Sequence, residues 1–433
     1  MSRKLIGIAA LALHMAMATG SAQADDVVVR VMTTETDPKT QKVFGEIIAE
    51  FEKERPGVRV KAEFAGWSDI NKKLLASIAA GDPPEIITVH DFYIFDLVDK
   101  GVIRPVDGVI DAIGRDDFVP VAIDGYTRDG HIWGVPFSLG QTVLWYRKDL
   151  YEKYGLKEPK TWADYEENLK VLNKAGSAGE GASKFYGTAF PAGINSHTEE
   201  TVHSWLWNNG ATITDEQGNS KLSSPAAVET FAFLKRIAAY APPGHTSYGH
   251  QEALNSFATG AVAHTEYGYR LLNNLERLNP ALLETAVPIP YPLGPNEKAR
   301  SATHVIIKGW AILKNAKHQK AAEAFLKFLE SGDRKIRMMH TVPIHYWPPR
   351  KSIAQDPRFL DNKLMKTPAG QRALALAPQG FERGALALRV GGTVLPKIGS
   401  LMERRLLSNT LQKVLIKKMS PEDATKEASD IIK

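Results

Sequence analysis

The chain has no cysteine. That removes disulfides, thiol nucleophiles and cysteine-ligated metal centres in one step, and it leaves no residue to carry a lipid at a processed N-terminus. Long apolar runs are also missing beyond the first 24 residues, so nothing later is long enough to span a bilayer, which takes ~20 apolar residues. Internal repeats and low-complexity tracts are absent. Charge of one sign is scarce: the formal net charge is +5 over 433 residues. Lys and Arg form no stripe, so nucleic acid is not indicated as a partner. Catalytic signatures are lacking too. There is no G-x-S-x-G elbow and no H-E-x-x-H zinc motif. Glu199-Glu200 and Asp116-Asp117 are adjacent carboxylates, which point apart on a helix or strand and do not make the facing pair of a glycoside hydrolase. Gly176 to Gly181 begins like a phosphate loop, but Ala182 stands where lysine is needed.

What is present starts with a leader. Arg3 and Lys4 precede an apolar stretch from Leu5 to Ala18, and Ser21-Ala22-Gln23-Ala24 ends it. This pattern predicts a secretory signal peptide over 1–24, cleaved before Asp25. Its removal lowers the formal charge from +5 to +3. Export without a lipid anchor or span points to the periplasm of a Gram-negative cell.

The remaining length exceeds what one core holds, so two lobes are expected. Val27 to Met32 reads as a buried strand. Asp37-Pro38 reads as a helix cap with proline at the first position, and Val43, Phe44, Ile47, Ile48 and Phe51 share one helical face. Val58 to Phe64 alternates as a strand. A helix over Ile70 to Ile78, a strand over Glu85 to Val89 and a helix from Phe92 to Lys100 capped by Gly101 repeat the unit. This alternation predicts an α/β first lobe with a mostly parallel sheet, ligands lying at the carboxyl ends of its strands. Helical periodicity returns over Pro225 to Tyr240 and Lys320 to Met339, with strand character between Val287 and Leu313. Ser420 caps a last helix. Ala175 to Ser183 reads as a surface loop.

Several segments together resemble the extracellular solute-binding proteins of family 1, the maltose-binding-protein-like group. They are Lys73 to Asp107, which ends in "GVIRPVD"; Gly130 to Tyr165, with "GHIWGVPFSLGQTVLWYRKDLYEKYG"; Ser256 to Tyr269, with His264 where methionine is usual; and the late helices "KHQKAAEAFLKFLES" and "SPEDATKEASDIIK". The resemblance spans residues 27 to 433. It implies a two-lobed, type II-like periplasmic-binding-protein fold with a hinge of several crossings, lobe 1 being 25–136 with 285–342 and lobe 2 being 137–284 with 343–433. It further implies a monomer that carries a carbohydrate-like ligand to ABC-transporter membrane subunits, with no catalysis, cofactor or metal.

Sugar sites need aromatic faces and planar polar groups. Thr34 and Glu35 lie in the first strand–helix loop. Asp91 follows a buried strand and aligns with a ligand-contacting aspartate of the maltose-binding group; capping of the next helix is its other role. Trp67 and Gln141 lie in loops near the cleft, Gln141 at the first expected hinge crossing. Trp310 after Gly309 offers a stacking floor. Tyr267, His345 and Tyr346 add aromatic surface, the last two in a segment, Val342 to Ser352, that departs from the family pattern. Arg270 and Arg404 fall near family tryptophans. If both face the cleft, an acidic sugar derivative is the expected ligand; otherwise they lie on solvated helix faces. A non-sugar ligand (metal, polyol or amino-acid derivative) and a secreted hydrolase are the alternatives.

Overall fold

The computed structural model describes residues 27–67, 69–179 and 184–432. The expected leader, and the end of the expected Ala175–Ser183 loop, lie outside these residues. The part of that loop described is helical at its start, because the helix Trp162–Ser177 runs through Gly176.

Strands β1 (Val27–Thr33), β2 (Val58–Phe64) and β3 (Ile86–His90) alternate with helices α1 (Pro38–Glu54), α2 (Ile70–Ala79) and α3 (Asp91–Asp99). Helix α1 starts where Pro38 needs no donor and the Asp37 carboxylate accepts the N–H groups of Lys39 and Thr40 at 3.0 and 3.2 Å. It buries Phe44, Ile47 and Phe51. Phe44 packs on Trp310 and Phe325 at 6.0 Å each. Burial of each such side chain stabilises by about 1.5–3 kcal/mol. Gly101, at φ 65°, ends α3 in the left-handed region as a glycine cap does.

Two short strands, β4 (Thr127–Arg128) and β5 (His131–Ile132), form a hairpin over Asp129-Gly130, both at positive φ. The long β6 (Val135–Arg147) follows, then β7 (His264–Gly268), β8 (Ala286–Ile289) and β9 (Val305–Ile312). The main sheet runs β2-β1-β3-β9-β6-β7, with β8 also on β6. Only β2-β1-β3 is parallel. The expectation of a mostly parallel sheet therefore holds for three strands. β9 returns antiparallel to β3, and β6 antiparallel to β9, β7 and β8.

β6 changes partners along its length. Val135 to Gln141 pairs with β9, and Thr142 to Arg147 runs between β7 and β8. Its register with β9 shifts between Pro136 and Ser138. Pro136 has no N–H for the ladder, which accounts for the irregularity. The segment expected to be one helix over Lys320 to Met339 is two, Gln319–Leu329 and Gly332–Met339, broken where Gly332 takes φ 47°.

Candidate functional site

A cleft of about 630 Å³ opens where β6 changes partners. One wall consists of strand ends and the loops that follow them. The other consists of helix beginnings.

On the strand wall, β1 runs into Thr34 and Glu35, β3 into His90, and β9 carries Ile306 and Lys308. Lys308 is the centre. Its ammonium bonds the Glu35 carboxylate at 2.6 Å and lies 3.3 Å from the Tyr346 hydroxyl. The Tyr346 hydroxyl donates to the other Glu35 oxygen. Lys308 also sits 4.4 Å from the Tyr346 ring centre and 5.8 Å from that of Trp67. Burial lowers the Lys308 pKa, and Glu35 opposes that shift. Trp67, 41% exposed, stacks on His90 at 3.7 Å, and His90 stacks on Phe92 at 4.8 Å. Burial, with Lys308 adding to it, pulls His90 down to about 3, so the ring is neutral.

On the helix wall, Ser196, Glu199 and Glu200 belong to the start of the helix Ser196–Asn208. His250 opens the helix His250–Ala258, and Arg270 opens Arg270–Leu278. Arg405 is the cap of Leu406–Leu415, held at φ 59°. The Glu199 carboxylate accepts from the Leu407 and Ser408 N–H groups at 3.2 and 2.7 Å, satisfying the start of that helix. Burial nonetheless raises Glu199 to about 7 and Glu200 to about 8. The two side chains do diverge: Glu199 meets a helix end and Glu200 faces His250 at 4.0 Å. Arg270 reaches across to Asp37 at 3.6 Å and ties the walls together.

Among the described residues, four buried polar atoms on the cleft have no protein partner: Thr34 Oγ1, His90 Nδ1, Gln141 Oε1 and His345 Nδ1. Such atoms require hydrogen bonds from ligand or solvent. Gln141 Nε2 is already committed to the Tyr269 hydroxyl and the Ala377 carbonyl. Just before His345, Ile344 holds φ 67°. A β-branched residue rarely does so, and the turn aims His345 and Tyr346 into the cleft. Trp347 packs instead on Phe381 at 5.8 Å.

The cleft thus gathers Thr34, Glu35, Trp67, Gln141, Tyr267, Arg270, His345 and Tyr346. Three sequence candidates do not line it. Asp91 is buried behind the strand wall, its carboxylate accepting the Ile307 N–H at 2.9 Å; burial raises its pKa to about 7. Trp310 is fully buried between Phe44 and Phe137. It shares a strand face with Ile306 and Lys308 but lies farther from the edge, already under α1. Arg404 is exposed at the end of the helix Pro396–Glu403, and its neighbour Arg405 takes the cleft position. Sequence reasoning missed Lys308, Glu200, His250 and Arg405. For Lys308 a signal existed, the period-2 alternation that puts it on the face of Trp310. His264, the departure from the family's methionine, is a core residue bonded to the Tyr151 hydroxyl and the Gly187 carbonyl.

Comparison with known proteins agrees with this architecture. The family profile of the bacterial extracellular solute-binding proteins matches residues 36–333. A putative ABC transporter periplasmic-binding protein of Escherichia coli, YcjN, is 27% identical over 354 residues, covering 79% of this chain and 77% of that protein. Maltose-bound MalE3 of T. maritima superposes with a TM-score of 0.78 at 21% identity, over 94% of this chain and 99% of that one. An ABC transporter solute-binding protein of Agrobacterium radiobacter in complex with ribitol gives a TM-score of 0.76 at 22% identity, over 94% and 98%. Among the described residues no helix is long and apolar enough to cross a membrane. With a two-walled cleft at the strand crossing and a profile match over most of its length, this chain belongs to the bacterial extracellular solute-binding proteins, the ligand-capturing components of ABC transporters.

Proposed function

We propose that the chain captures a neutral, hydroxyl-rich ligand, a sugar or polyol, between its two walls. In this reading it works in the periplasm as a monomer, performs no catalysis, and hands the ligand to the membrane subunits of an importer. The observation that carries the reading is the Glu35–Lys308–Tyr346 cluster beside the partly exposed Trp67 ring. A carboxylate acceptor next to an ammonium donor matches adjacent hydroxyls, and an indole face matches the C–H surface of a sugar ring.

The charges favour a neutral ligand over an acidic one. Lys308 is paired with Glu35, and Arg270 with Asp37. Arg404, the second cation expected to favour an acidic sugar, is on the surface, and Arg405, which lines the cleft in its place, acts on the Glu199 and Glu200 carboxylates. The lobe boundary proposed here falls at Gln141–Thr142, where β6 leaves β9, so that β8 goes with lobe 2.

The test is a thermal-shift screen against neutral saccharides, polyols, acidic sugars and amino acids. A ligand at ~100 times its Kd that binds only the folded chain adds about 2.7 kcal/mol. Shifts with neutral sugars or polyols are expected. Shifts with acidic sugars or amino acids alone would overturn the reading.

A further inference from the structure

Capture of a hydroxylated ligand leaves one cluster on the helix wall without a role. His197 and Glu200 stand three residues apart in the first two turns of the helix Ser196–Asn208, a spacing that puts them on one face. His250, from another helix, completes the group. One ligating atom from each of the three lies within 4.8 Å of the others. The His197 and His250 rings are 4.1 Å apart.

The two nitrogens of His197 differ. Nε2 is 2.9 Å from the main-chain carbonyl of Glu266, which can only accept, so Nε2 carries the proton. That leaves a lone pair on Nδ1. The residue is fully buried, and Nδ1 has no partner among the described residues. A histidine fixed through one nitrogen by a carbonyl, with the other nitrogen free, is the arrangement that orients metal ligands. Two imidazoles and a carboxylate form a donor set suited to first-row dications, zinc above all, with a fourth position left open. Glu200 and His250 line the cleft, so the cluster borders the ligand space.

We propose that His197 Nδ1, Glu200 and His250 form a site for a first-row transition-metal dication, with Zn²⁺ as the reference ion. Metal bonds of about 2.0–2.1 Å require the three donors to draw together. His250, whose side chain is 50% exposed, is the member with room to move. Arg405 acts on the same Glu200 carboxylate and opposes the ion.

The test uses untagged protein dialysed against Zn²⁺, with Mg²⁺ as the control ion and metal content measured directly. Wild type takes up one equivalent of zinc and gains thermal stability, while Mg²⁺ does neither. His250→Ala and Glu200→Gln each weaken uptake about tenfold or more. Arg405→Ala strengthens it. Cobalt in place of zinc gives visible absorption that His250→Ala abolishes. His250→Ala is the variant least able to disturb folding, and its metal-free melting temperature checks that. No saturable uptake by wild type, or uptake that His250→Ala leaves unchanged, overturns the proposal. Because metal content is the readout, its failure leaves the sugar or polyol reading untouched.

Discussion

The two walls of the cleft reach the same space by opposite routes. On the strand wall the charged groups partner one another: Glu35 and Lys308, 1% and 12% exposed in their side chains, form a set with Tyr346. On the helix wall they are held by first turns, as Glu199 is by the Leu407 and Ser408 N–H groups, or extend into the cleft, as Arg270 does. A wall whose charges satisfy each other is part of the fold. A wall whose charges lie at helix ends has freedom to answer a ligand. Substitutions on the first wall should therefore move stability and binding together, and those on the second mainly binding.

The largest test is Lys308→Met. It strands the buried Glu35 carboxylate, and breaking such a pair costs about 3–5 kcal/mol. The melting temperature should drop sharply and ligand binding vanish. The double variant Glu35→Gln with Lys308→Met should recover much of the stability and none of the binding. If Lys308→Met leaves stability intact, the contrast between walls fails.

Asp91 tests the layer behind the strand wall. Its folded pKa lies near 7, above the ordinary 3.8, because burial penalises the charged form. The native state thus holds the proton longer than the unfolded one. The contribution is full below pH ~4 and lost as pH rises toward 7, by about 1.4 kcal/mol per unit. Denaturant unfolding of Asp91→Asn at several pH values should show this slope removed.

Trp67→Ala sharpens the comparison from the exposed edge. Loss of an aromatic face should weaken sugar binding by about 0.5–1.5 kcal/mol, read by calorimetry, with little change in melting temperature. The smallest expected effect on stability is that of Arg270→Ala. A pair as open to solvent as Arg270–Asp37, both half-buried, contributes about 0.2–1 kcal/mol. If this variant destabilises as much as Lys308→Met, the helix wall is structural after all.

The local elements were legible in the sequence because they rest on local chemistry. Asp37-Pro38 with Phe44, Ile47 and Phe51 defines α1 from its own residues. What pairs with what was less legible. Nothing near β9 says that it returns antiparallel between β3 and β6, since that depends on partners more than 150 residues away in the chain. The same limit separates Lys308 from Trp310: alternation gives the face, and only the packing of α1 tells how far along the strand the cleft ends. Arg404 and Arg405 differ for another reason. The chain turns at Arg405 through positive φ without a glycine to announce it, so the ungapped match of Arg404 to a family tryptophan falls one residue short.

β6 carries 13 residues through both halves without a break. Its arms on either side of Gln141 are about 20 Å each, at ~3.3 Å per residue. Bending at that point by roughly 10° would sweep an arm's end through about 3.5 Å, with every ladder bond along each arm kept. On the lobe division proposed above, Gln141 would stand at the fulcrum, where a ligand contact exerts almost no torque. Contacts farther out on the walls would have the longer lever. Discrimination between ligands that fit and ligands that also drive closure would then be decided at the rim of the cleft, while its centre sets how tightly either is held.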